Sequence, residues 1–120
     1  MATIFNGTVH GDSPGISTTV NYEYTRDGAN MKYHFWGNTR LNSSGGWYTN
    51  NVRVKLYLNG SDIYTKDCKS SNKGWSIDWD AGWHTVSNKT SGTTPFYFTV
   101  KDTQNSGWCN YTSSTYQLDV

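Results

Sequence analysis

The chain has 120 residues and a formal net charge of +1, with basic residues spread along its length, which argues against the clustered cations of a nucleic-acid footprint. Aromatic residues make up 16% of it, including six Trp, while Leu, Ala and Glu are scarce and Ser, Thr, Asn and Gly abundant, so strands and turns are favoured over helices. One domain (1–120) with a two-layer core is the expectation at this length, and no apolar run approaches a membrane span.

Taken in order, Met1–Phe5 lacks the basic and apolar regions of a secretory signal. Thr3–Val9 reads as a first strand, ended by the turn-rich His10–Gly15. Thr18–Trp36 then predicts a long β-hairpin reversed at Asp27-Gly28. Val20, Tyr22 and Tyr24 share one face of its first arm, as do Met31, Tyr33 and Phe35 of its second, at the period of two of a half-buried strand. The opposite face carries Asn21, Glu23 and Thr25 against Lys32, His34 and Trp36, and reads either as a solvated surface or as a binding surface.

After Gly37–Leu41 the flexible Asn42–Gly46 leads into Trp47-Tyr48. Asn51–Leu58 predicts a core strand with Val52, Val54, Leu56 and Leu58 inward; Asn59-Gly60 turns it into Ser61–Asp67. Trp75, Ile77 and Trp79 alternate with Ser76, Asp78 and Asp80, which places the indoles inward and the carboxylates outward. Ala81-Gly82 reads as a break, with Trp83–Ser87 resuming in another direction. Phe96, Phe98 and Val100 line one face of a strand after Pro95, Trp108 and Tyr111 fall at a loop edge, and Tyr116, Leu118 and Val120 form a last inward row. About eight short strands without a helix predict an antiparallel two-sheet β-sandwich, immunoglobulin-like or jelly-roll, with a small β-barrel as the alternative.

Chemistry is sparsely signalled. Asp78 and Asp80, about 6.5–7 Å apart along one strand face, are a candidate glycosidase pair, though a solvated strand edge accounts for them better in the absence of any accompanying motif. Asp78-x-Asp80-x-Gly82 has the alternating oxygens of a calcium loop but none of its continuation, so no metal and no cofactor is expected. No nucleophile motif occurs, and His10, His34 and His84 share no ligand spacing. Cys68 and Cys109 lack zinc spacing and read equally as two thiols or as one disulfide worth about 3–4 kcal/mol. Five Asn-x-Ser/Thr triplets are barely above the roughly three that chance supplies here. What stands out is aromatic residues in polar surroundings: Trp36, Trp47, Tyr48 and Trp108 are the candidate ligand platforms, with a structural role as core plugs as the competing reading.

Asn51–Leu58, Pro95–Asp102 and Cys109–Leu118 carry a resemblance. In these, and in strand order from Ser17 onward, the chain resembles the small β-sandwich modules of tail-associated minor structural proteins of tailed phages, including repeat-bearing siphovirus proteins of uncharacterised function. The resemblance implies a non-enzymatic virion component, made in the host cytoplasm without a signal peptide. Its implied partner is bacterial surface polysaccharide or another phage structural protein, including further copies of itself, and it carries over no site residue. Such modules usually lie within much longer proteins.

Overall fold

A computed structural model of the chain describes residues 7–13, 16–41, 50–70, 76–103 and 110–119. Nine strands are present among them: β1 (Gly7–Ser13), β2 (Ile16–Asp27), β3 (Asn30–Leu41), β4 (Asn50–Leu58), β5 (Ser61–Ser70), β6 (Ser76–Val86), β7 (Thr93–Asp102), β8 (Asn110–Thr112) and β9 (Tyr116–Asp119). All pairings are antiparallel. They form two sheets, one ordered β1-β2-β3-β6 and the other β5-β4-β7-β8, with β9 also on β7. The expected two-layer sandwich is therefore what forms, rather than a single closed barrel.

The hairpin that dominates the sequence is β2–β3, twelve paired positions from Ile16↔Leu41 to Asp27↔Asn30. Gly28 at its tip adopts φ +63°, the conformation that Asp-Gly predicts. The Asn59-Gly60 turn likewise has positive φ at both positions, 53° and 83°, as a two-residue hairpin requires. Between the sheets the two inward rows meet. Val20, Tyr33 and Phe35 from the first and Val52, Val54, Leu56, Phe96 and Phe98 from the second are almost completely buried. Phe35 stacks on Phe96 across the interface at 4.5 Å and 11°. The buried Tyr33 hydroxyl reaches the Thr94 hydroxyl and the Asp119 carbonyl, each at 2.9 Å, so its polar end is satisfied inside the core.

Three expectations about element boundaries change. β1 runs through Gly11, Asp12 and Ser13, where turn residues predicted a loop, because the edge of β2 offers each of them a partner. Tyr111 belongs to β8 and packs its ring 5.9 Å from that of Phe98, not at a loop edge. Finally, 76–86 is one strand, bent at Ala81-Gly82 without ending there. Leu118 is buried in the last row as expected, while Val120, Thr3–Asn6 and Asn42–Gly46 lie outside the described residues.

Candidate functional site on the outer face of the first sheet

The outward residues of β2, β3 and β6 form cross-strand rows. Glu23 pairs with His34 and His34 with Trp83; Asn21 pairs with Trp36 and Trp36 with Asp80; the next row holds Asn38 and Asp78. Between the first two rows the β3–β6 register shifts at Phe35/Trp36, because Ala81 is an extra residue in β6. Gly82 beside it takes φ +73°, a conformation that favours glycine.

This bulge changes which side chains face out. Before it, Asp78 and Asp80 are exposed and Trp79 is buried, as alternation predicts. Unbroken alternation would then bury Trp83 alongside Trp79. Past the extra residue the phase inverts, and Trp83 is 51% exposed, the one exposed large hydrophobic residue among those described. Sequence reasoning missed Trp83 for this reason. The signal available was Gly82 inside an otherwise regular alternating pattern, a mark of bulges in strands.

At the centre of the face His34 bridges two carboxylates. Its Nδ1 lies 2.9 Å from Glu23 Oε2 and its Nε2 2.9 Å from Asp80 Oδ1. Partial burial pulls the imidazole pKa down, but the hydrogen bonds and charges of Glu23 and Asp80 outweigh it and hold the pKa above its ordinary value of 6.5. Asp80 Oδ1 also accepts the Gly82 amide at 2.8 Å, so the same carboxylate fastens the bulge. That amide first, and His34 second, depress the Asp80 pKa. The imidazole ring stacks against Trp36 at 4.8 Å and Trp83 at 5.1 Å, with tilts of 29° and 23°. Three aromatic rings thus stand together on a polar sheet face, the central one held by two carboxylates.

Trp36 also walls a shallow depression of about 480 Å³, lined further by Asn21, Gly37, Asn38, Asp78, Trp79 and Asp80. Asn38 Nδ2 donates to Asp78 Oδ1 and to Ser76 Oγ, both at 2.8 Å, which orients the carboxylate. Polar acceptors therefore converge beside a flat indole, and among the described residues no cation lines the depression.

Of the four residues picked from sequence, Trp36 is here, half-buried on a strand; Trp47, Tyr48 and Trp108 lie outside the described residues. Asp78 and Asp80 do share the face, but Asp80 is committed to His34 and the bulge. Both belong to an extended strand, not to a loop wrapping a cation, and among the described residues no three acidic, His or Cys side chains are grouped to hold a metal. Cys68 is a free thiol, buried, its pKa pushed up by that burial to about 11, and Cys109 lies outside the described residues.

The chain is thus an all-β two-sheet sandwich whose first sheet presents an aromatic, acceptor-rich outer face. No protein-family model matches it, and no curated protein or solved structure shows significant similarity.

Proposed function

We propose that this chain is a non-enzymatic binding module that takes a carbohydrate on the outer face of its first sheet. The observation that carries this reading is the Trp36–His34–Trp83 ring cluster beside a depression whose polar groups are oriented by hydrogen bonds. A sugar ring has an apolar face of C–H groups and a rim of hydroxyls. The first suits the Trp36 indole and the second suits Asp78, Asp80 and the amides of Asn21 and Asn38. With two carboxylates and, among the described residues, no cation lining it, the depression favours neutral sugars over acidic ones.

The acidic residues fit binding better than hydrolysis. A general acid must hold a proton near neutral pH, whereas the Asp80 pKa is depressed by the Gly82 amide and by His34. Asp80 Oδ1 is held by His34 and the Gly82 amide, which leaves Oδ2 to accept a hydroxyl hydrogen.

The phage resemblance supplies the setting: a particle component, made in the host cytoplasm, whose carbohydrate partner is the bacterial surface. A purely structural role, in which exposed strand edges pair with a tail partner or another copy, is the competing assignment. The test is co-sedimentation of the purified chain with insoluble bacterial cell wall. The expected result is saturable retention, competed by soluble wall polysaccharide and reduced about tenfold or more by Trp36→Ala. Equal retention of wild type and Trp36→Ala, or none by either across a broad panel of walls, overturns the reading.

A further inference from the structure

The outer face of the second sheet carries a feature that packing alone does not account for. Arg53 of β4 and Lys101 of β7 are direct cross-strand partners, both exposed. Lys55 stands two positions along β4 on the same face, diagonal to Lys101. Like charges directly opposed across an antiparallel pair destabilise it, so three cations gathered in this way work against the sheet.

Their neutralisation is partial and one-sided. Arg53 is held by Asp67, Nε to Oδ1 at 2.7 Å and Nη2 to Oδ2 at 3.2 Å, and Lys55 by Asp62 at 3.0 Å. Both carboxylates belong to β5, on the side of β4 away from β7. Each pair occupies only part of its cation's donors, since a guanidinium has five and an ammonium three. Lys101 makes no ion pair among the described residues.

A depression of about 270 Å³ is lined by these three cations together with Tyr57, Thr99 and Thr103, and among the described residues no carboxylate lines it. Tyr57 is fixed there by stacking on Tyr97 at 4.5 Å and 7°. The Asp67 and Asp62 contacts restrict the rotamers of Arg53 and Lys55, so part of the ordering cost of a site is met before any ligand arrives.

We infer that this depression is a second binding site, for a tetrahedral oxyanion of the phosphate or sulfate type, on the face opposite the aromatic one. A compact oxyanion group between Arg53, Lys55 and Lys101, singly or doubly charged, accepts charge-assisted hydrogen bonds from all three and offsets their mutual repulsion. The two threonine hydroxyls and the Tyr57 hydroxyl add neutral donors. The anion is either the free ion or an ester group carried on a polymer; the chemistry recognised is the same.

The test is thermal unfolding of the full chain in sodium phosphate and in sodium chloride at matched ionic strength, repeated with a glycerol-phosphate oligomer. Phosphate is expected to raise the Tm of the wild-type chain above its value in chloride, because a ligand that binds only the folded state stabilises it. Lys101→Thr removes the opposed charge with a good strand former. It is expected to have a higher Tm than wild type in chloride and no phosphate-specific rise. Lys55→Gln is expected to weaken phosphate binding about tenfold or more by isothermal titration. A rise per phosphate group no larger with the oligomer identifies the free ion as ligand, and a larger one identifies the chain-borne ester. Identical behaviour of wild type in phosphate and chloride, or a phosphate-specific rise retained in Lys101→Thr, overturns the inference.

Discussion

His34 joins two carboxylates and two indoles on the first sheet's outer face, and its protonation state governs the two hydrogen bonds. An imidazolium donates to both Glu23 and Asp80; a neutral ring has one N–H, so one carboxylate then faces a lone pair. Because the folded-state pKa lies above 6.5, the stabilisation from this bridge is fully present below that ordinary value and is lost as pH rises through the raised one. Asp80 has the opposite sign. Its depressed pKa gives stability that is present above the ordinary 3.8 and lost as pH falls through the folded value. Denaturant midpoints measured across pH are expected to decline as pH rises above 6.5 for wild type and to lose that component in His34→Gln. Parallel curves for the two proteins would show that the bridge does not titrate as described. Gly37 is a different kind of constraint. A Cβ there would stand 2.7 Å from Trp79 Cζ2 and run into the Thr19 carbonyl oxygen, neither of which is the loose end of a flexible side chain. Gly37→Ala is therefore expected to destabilise the fold by about 2–3 kcal/mol, read as a lowered denaturation midpoint.

At the scale of elements, β6 decides what the site contains. Its bulge places Trp79 in the core, where Nε1 donates to Thr39 Oγ1 at 3.2 Å, and Trp83 in solvent four residues later. Gly82→Ala meets no atom within 4 Å, so its cost is that of the positive φ alone, about 1 kcal/mol. A much larger loss of stability would mean that the bulge holds more than backbone conformation. Trp83→Ala is expected to leave stability within about 0.5 kcal/mol, as for exposed positions generally, while weakening glycan binding. The hairpin, the β4 core row and the outward Asp78 and Asp80 were legible in the sequence because period-two alternation and Asp-Gly or Asn-Gly turns are local signals. The site was only half legible. Trp36, His34 and Glu23 were recognisable as one polar face of the hairpin. Trp83 was not, since a one-residue bulge inverts the parity on which such reading depends, and the pairing of β3 with β6 joins residues some fifty positions apart. Turn-rich Gly11–Ser13 misled in the opposite direction, for an available strand edge outweighs weak local preference.

In the whole molecule, the sandwich keeps its two outer faces apart, and the described residues lining their depressions differ: an indole and carboxylates in one, three cations in the other. A close-packed core between them, with Phe35 stacked on Phe96 and the partly buried Tyr64 tilted against Trp79, joins the sheets into one support for both. The central claim is that the first sheet's outer face, through Trp36 and Trp83, meets a carbohydrate. The most direct measurement is the ¹H–¹⁵N spectrum of the six indole N–H groups during titration with soluble bacterial wall polysaccharide, assigned by single Trp replacements. Saturable shifts are predicted for Trp36 and Trp83, with Trp79, whose N–H is bonded to Thr39 inside the core, nearly still. Shifts confined to Trp47 and Trp108, or a spectrum unmoved by a broad panel of polysaccharides, would contradict it.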